Sequence, residues 1–429
     1  MSVDTATPST APEVDRGRAL TRSWKAPIVF ALFGVVALVV FGLTAPSGEY
    51  STFRVSTASD LVQIEPFAVP SRLVGILLGV LCLAIAAYAF WLVHQARKVP
   101  LWLSVTFGLA FVFAFLTWAV AGATISLTSL LQGAVALSVP LIFGALSGLL
   151  CERAGVINIA IEGQLLFGAF LSGVVASLTS STWVGLVAAP IAGLLVAYVL
   201  AVFTVRYFVN QIIVGVVLNV LVIGLTNFLF SRLLSPDPAT WNSPGRFLSM
   251  KIPLLGDIPI IGPVLFNQNV IVYFLYVIVI VVHISLFRSR WGLRVRAVGE
   301  HPEAADTAGI KVNSVRFRNV LIGGAVAGLG GAYFTLGVSG LFSREMTAGQ
   351  GFIALAAMIL GRWSPIGAVF AGLLFGFANN LQSVLGIIGT PIPSEFMLMA
   401  PYLVTIFAVA GFVGRVRPPA ADGVPYIKS

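Results

Sequence analysis

Glu162 is an acid set in an apolar run, with the amides Asn158 and Gln164 beside it and Gly155 and Gly163 permitting a break or close backbone approach. A carboxylate at a membrane-helix centre costs about 2.5–3.5 kcal/mol on insertion scales, so Glu162 must face protein or water, or pair with Arg153 at the membrane edge. Further along, Gln211, Asn219 and Asn227 lie on one segment. Asn219 and Asn227 are eight apart and share a helix face. Asn379, Asn380 and Gln382 supply a third group. Neutral amides both donate and accept, so they can hold a solute bearing hydroxyls and ring nitrogens without the larger desolvation cost of a charge. Each can equally bond one helix to another. The expectation is a polar substrate path lined by Asn158, Glu162, Gln164, Gln211, Asn219, Asn227, Asn379 and Asn380.

Other chemistries find less support. Cys82 and Cys151 sit in or beside apolar runs without ligand spacing, which argues for packing and against a disulfide framework or a metal site. Gly337-Val338-Ser339-Gly340 resembles the serine motif of rhomboid intramembrane proteases, but that chemistry needs a histidine further along, and the last histidine, His301, lies upstream. No Gly-x-x-x-x-Gly-Lys-Ser/Thr run occurs, so any ATP-driven cycle must borrow its nucleotide site from another chain. The net charge of +9 is carried by cations at the ends of apolar spans, which fits an anionic lipid surface and not nucleic acid.

The elements that must position these residues are membrane spans. The 429 residues are 58% hydrophobic and 10% charged, with a mean hydropathy of +0.99, far from the soluble range of roughly a quarter charged. Residues 1–26, rich in Ser, Thr, Pro and Ala with four cations, read as a disordered cytoplasmic tail. Apolar runs follow at 27–45, 73–93, 101–121, 128–150, 165–178, 184–205, 212–234, 270–287, 320–338, 352–361, 366–385 and 396–413. The run 352–361 is too short to span, so ten to twelve transmembrane helices with re-entrant pieces are expected. Pro140 falls mid-span and predicts a kinked or broken helix. Residues 235–269 form the largest outer loop, and both termini fall on the cytoplasmic side.

Residues 288–318 form a polar island between apolar runs. Seven cations (Arg288, Arg290, Arg294, Arg296, Lys311, Arg316 and Arg318) stand against Glu300, Glu303 and Asp306, which keeps the island cytoplasmic. Pro302 can open a short helix with Glu303 in its first turn, and Gly309 can stop it. The run Glu303-Ala304-Ala305-Asp306-Thr307-Ala308-Gly309 resembles the acid-Ala-Ala, three residues, Gly signature of ABC-importer permeases, although no Leu-Pro follows. That resemblance implies a coupling helix seated in a groove of an ATPase, formed by Glu300, His301, Pro302, Glu303, Ala304, Ala305, Asp306 and Gly309.

A wider resemblance runs from about 124 to 414. The stretches ERAGVINIAIEGQLLFGAF from Glu152, VNQIIVGVVLN from Val209, IPLLGDIPIIGPVLFNQN from Ile252, RAVGEHPEAADTAGI from Arg296 and MTAGQGFIALAAMILGRWSPIGA from Met346 are similar to permeases of nucleoside and simple-sugar ABC importers, relatives of the ribose and branched-chain amino-acid permeases. It implies an all-α polytopic membrane protein of two-half permease architecture, with an N-terminal extension (27–123), a permease core (124–414) and a cytoplasmic tail (415–429). It implies transport of nucleosides, with simple sugars second and branched-chain amino acids third, across a bacterial cytoplasmic membrane. The partners implied are an ABC ATPase that binds ATP and Mg, a companion permease forming a heterodimer, and an extracytoplasmic substrate-binding lipoprotein, with no cofactor in this chain and no enzyme activity. The rival reading is an ion-coupled secondary transporter, for which Glu162 is the one plausible coupling acid.

Overall fold

The computed structural model describes residues 23–56, 63–388, 399 and 417–428. Among them the chain forms helices α1 (Lys25–Val36), α2 (Ser71–His94), α3 (Leu101–Ala119), α4 (Leu127–Glu152), α5 (Ile161–Thr179), α6 (Thr182–Ala201), α7 (Gln211–Leu229), α8 (Pro238–Trp241), α9 (Ile261–Leu265), α10 (Val270–Arg288), α11 (Arg290–Glu300), α12 (Pro302–Thr307), α13 (Val312–Ala332), α14 (Gln350–Leu360) and α15 (Pro365–Ile388). Wider π turns at Ala37–Leu43, Val202–Arg206, Phe230–Leu234 and Tyr333–Ser339 extend α1, α6, α7 and α13. Among the described residues ten helices are long and apolar enough to cross a membrane. The 352–361 run does not: it is α14, 11 residues, which at 1.5 Å per residue rises only about 16 Å, half a bilayer. The span expected at 396–413 and most of the 1–26 tail lie outside the described residues.

The chain divides into two compact units, residues 1–51 with 69–121, and residues 52–68 with 122–429. In the first, α2 carries Gly75 and Gly79 one turn apart, and a Cβ at either would overlap the chain at Phe41 and Leu38. Small residues spaced in this way let two membrane helices meet backbone to backbone. Phe30 stacks on Phe107 of α3 at 4.4 Å between ring centroids, and Ser51 Oγ donates to the Thr117 carbonyl at 2.5 Å.

In the second unit α4 is the most enclosed span, with 89% of its apolar stretch buried. Of the kinked or broken helix expected at Pro140, the break does not occur: α4 is continuous through it. Gly376 of α15 lies against the backbone of Ala134 and Ser138, so a neighbouring helix supports the turn around the proline. The interruption falls instead after Glu152, where 153–160 is non-helical before α5 starts. On the other side of α4, the helices α5, α6 and α13 meet through glycines: Gly168 sits on Gly328, and Gly193 on Gly324 and Gly328. The 235–269 loop is ordered locally by an antiparallel pairing of Met250 with Gln268 and by a Lys251–Asp257 ion pair. Asn242 holds it to Phe342, donating to its carbonyl at 2.9 Å and accepting from its amide at 2.7 Å.

Candidate functional site

The 153–160 interruption frees backbone groups that a continuous helix would satisfy internally, and in an apolar surrounding each needs a partner. The amides supply them. Gln211 Oε1 accepts from the Ile157 amide at 2.7 Å. Asn219 Oδ1 accepts from the Gly163 amide at 2.8 Å, and its Nδ2 donates to the Ile159 carbonyl at 2.9 Å. Asn158 Nδ2 donates to Gln164 Oε1 at 3.0 Å and to Ser147 Oγ at 3.2 Å, closing a buried polar knot between the interruption and α4. Gly155, at φ +85°, makes the turn that lets the chain leave α4. Four of the residues expected on the path are thus brought together around one broken segment.

Glu162 stands in the first turn of α5, and its carboxylate is capped by a different part of the chain. Oε1 accepts from Thr347 Oγ1 at 2.6 Å and the Gly349 amide at 2.9 Å, and Oε2 from the Gly351 amide at 2.6 Å. The start of α14 therefore points its unsatisfied amides at this carboxylate, where the partial positive charge of a helix N-terminus favours an anion. A Cβ on Gly351 would overlap Glu162, so glycine is required for the approach. The pairing of Glu162 with Arg153 does not occur. Arg153 donates from Nε and Nη2 to the Trp363 carbonyl at 3.0 and 2.8 Å and lies over the Phe287 ring.

The other expected path residues lie apart from this knot. Asn227 Nδ2 donates to Glu345 at 2.9 Å, while Asn227 Oδ1 and Gln350 Oε1 are buried without a hydrogen-bond partner among the described residues. Asn380 Nδ2 donates to the Leu130 carbonyl at 2.7 Å and binds α15 to α4. Its neighbour Asn379 is half-buried.

The polar island folds as α11 and α12. Ser289 caps α11, its Oγ accepting from the Gly292 amide at 3.1 Å. Pro302 opens α12, Glu303 stands in its first turn, and Gly309 at φ +82° follows it, in the left-handed region that glycine adopts without strain. Ala305 turns inward to pack with Val298, Val312 and Tyr426, while His301, Glu303, Ala304, Thr307 and Ala308 are exposed. Pro302 and Asp306 are partly covered, and Glu300 is exposed beside them. Next to α12 is a cleft of about 850 Å³ whose lining includes Arg294, Gly309, Lys311 and Arg318.

Two of the island's seven cations contact the fold itself. Arg296 lies over Phe287 at 5.3 Å, and Arg316, only 2% exposed, turns into the fold. Arg316 Nη1 donates to the Val424 carbonyl at 2.6 Å. Residues 417–428, expected to be a plain tail, are thereby tied to the island. The Ala421 amide donates to the Gly299 carbonyl at 2.9 Å, and Lys428 faces Asp306 at 3.5 Å. Burial pushes the Asp422 carboxyl up to about 6, opposed by a hydrogen bond with Glu152, the charge of Arg316 and the Gly423 amide. Burial likewise lowers Arg153, with Glu300 opposing and Arg296 adding to the shift.

Residues 129–409 match the family described as "Branched-chain amino acid transport system / permease component". The chain belongs to this permease family. The permease is 42% identical over 302 residues to the guanosine ABC transporter permease protein NupQ of Bacillus subtilis, covering 67% of this chain and 93% of that one. It is 42% identical, again over 302 residues, to the nucleoside ABC transporter permease protein NupC of Lactococcus lactis, covering 68% and 94%. It is 30% identical over 296 residues to the glucose ABC transporter permease protein TsgB13 of Haloferax volcanii, covering 65% and 76%. No solved structure matches it.

Three features of the permease have little or no local signature in its sequence. The Thr347-Gly349-Gly351 cap of Glu162 was hidden because its donors are mostly backbone amides 187–189 residues away. Trp363, whose Nε1 donates to Glu152 Oε2 at 2.6 Å, carried no signal beyond being a polar-edged aromatic. The docking of 417–428 had one faint signal, an acid and a glycine inside a proline-rich tail.

Proposed function

We propose that this permease is the membrane subunit of an ATP-driven importer of nucleosides in a bacterial cytoplasmic membrane. The observation that carries the reading is the 42% identity to two permeases named for guanosine and nucleoside transport, over more than nine-tenths of each. In this reading a separate ATPase binds ATP and Mg and receives the exposed face of α12, the docking element being Glu300, His301, Pro302, Glu303, Ala304, Asp306 and Gly309, with Ala305 seating it from within. The helix is short and exposes His301, Glu303, Ala304 and Thr307, which suits insertion into a groove. A companion permease completes the path as a heterodimer, and a substrate-binding lipoprotein delivers solute from outside. Residues 27–123 form an extension outside the transport core of 124–414, and both termini are cytoplasmic.

The path residues take two roles. Asn158, Gln164, Gln211 and Asn219 order the broken segment that walls the path, and Glu162 fixes α14 beside it. Asn227, Asn379 and Asn380 stand further along the same path, and the unpartnered acceptors of Asn227 and Gln350 suit a solute that donates from hydroxyls or ring N–H groups. Glu162 is poorly suited to ion coupling, because three donors hold both oxygens and a bound proton would have to displace one.

The test is uptake of labelled guanosine, uridine, glucose and leucine by cells lacking the gene and by complemented cells. Loss of nucleoside uptake alone, restored by the gene and dependent on an ATPase that co-purifies in mild detergent, is the expected result. A deficit confined to glucose would favour the sugar reading, which the TsgB13 similarity supports. Proton-driven uptake by this chain without an ATPase would overturn the importer reading.

A further inference from the structure

Residues 417–428 touch α11, α12, α13 and the segment that follows α4. The Ala421 amide bonds to Gly299 and the Ala420 amide to Glu300 Oε2 at 3.2 Å, both at the end of α11. Lys428 faces Asp306 on α12. Tyr426, 9% exposed, fills an apolar cluster with Val298 of α11, Ala305 of α12 and Val312 of α13. Arg316 of α13 donates to Val424, and Asp422 meets Glu152 at the end of α4. Gly423 lies so close to Ile157 that a Cβ there would press on it, and Gly155 similarly abuts Arg316 and Ala421. Ile157 is the residue whose amide Gln211 holds, so this stretch of chain bears directly on the broken segment.

We infer that 417–428 is a brace that fixes the α11–α12 docking face to the end of α4, so that a push on α12 reaches the 153–160 segment through Tyr426, Asp422 and Gly423. The transmission half rests on the reading that α12 receives an ATPase; the brace itself rests on the contacts alone. These are positioning residues, since none is placed on the solute path.

The experiment uses the full chain in its complex with the ATPase. Amide hydrogen exchange across 299–310 is compared between the unaltered permease and Tyr426→Ala, alongside guanosine molecules moved per ATP hydrolysed. Removing the ring from the cluster should speed exchange across α12 by about tenfold while α5–α7 are unchanged. It should also lower the transport-to-ATP ratio severalfold, with the ATPase still co-purifying. Tyr426→Phe, which keeps the ring, should recover most of both. Lys428→Ala removes only the contact with Asp306 and serves where Tyr426→Ala does not accumulate; a rise of about twofold is expected, the scale of an exposed pair. Unchanged exchange in both variants overturns the brace. Faster exchange with an unchanged transport-to-ATP ratio overturns the transmission. Failure of the unaltered permease to bind an ATPase would instead defeat the importer reading, and the exchange measurement on the permease would still decide the brace.

Discussion

The Gly351 amide donates to Glu162 Oε2 at 2.6 Å across 189 residues of sequence. This bond, with those from Thr347 and Gly349, puts a negative charge from the first turn of α5 at the N-terminus of the half-length helix α14. A short helix that cannot span the membrane is thereby anchored at the end where its backbone is least satisfied.

Substitution of Glu162 should separate charge from shape. Glu162→Gln keeps one acceptor and turns an NH₂ toward groups that themselves donate. At least one donor is orphaned, at about 1–3 kcal/mol. Glu162→Ala orphans three. Thermal stability in detergent and uptake should both fall in the order Glu, Gln, Ala, measured by size-exclusion after heating and by nucleoside uptake normalised to protein. An Ala variant that melts and transports like the parent would refute the anchoring role.

Two glycines make a matched pair. Gly351→Ala forces a Cβ into the Glu162 backbone, whereas Gly224→Ala, in α7, meets nothing within 4 Å. The first should lose about 1–3 kcal/mol through overpacking. The second should be neutral or gain up to about 1 kcal/mol from helix propensity. Equal melting temperatures would contradict the close approach.

Docking of 417–428 should weaken as pH rises. Burial on docking raises the Asp422 carboxyl to about 6, with Glu152, Arg316 and the Gly423 amide opposing the shift, against about 4 for a free aspartate. The docked state therefore binds a proton that the released segment gives up. Its contribution is fully present below about pH 4 and is lost as pH climbs through about 6. Hydrogen exchange of 420–426, corrected for intrinsic rates, should show protection falling between pH 4.5 and pH 7 values of about that window. Asp422→Asn should flatten the dependence; a dependence that survives it would assign the titration elsewhere.

The proposed orientation is checked by thiol labelling. Cys82 and Cys151 are both buried, so a single cysteine at exposed Ser243 should react with an impermeant reagent from outside intact cells. One at Asn313, in the cleft beside Arg206 and Arg318, should react only after permeabilisation. The opposite pattern would invert the topology.

What was legible in the sequence was local. The spans follow from hydropathy, and α12 from Pro302, Glu303 and Gly309, because turn and cap chemistry acts within a few residues. What failed required distant partners. Pro140 signals a lost hydrogen bond, yet whether α4 breaks depends on α15 packing beside it. Arg316 carries the same charge as Arg318, and charge alone does not tell which turns inward to Val424, 108 residues on. The amides were visible as a group, but not that four of them hold the backbone around one interruption.

The glycine contacts among α5, α6 and α13 have a mechanical consequence. Backbone rests on backbone at Gly168 with Gly328 and Gly193 with Gly324, so there is no side chain between them whose rotamer could absorb a displacement. The trio has little slack, and a tilt delivered at one end of α13 is expected to emerge at the far ends of α5 and α6 in the same stroke. Flexure must then be sought at its margins, in the 153–160 interruption and in the wider turns that finish α6 and α13.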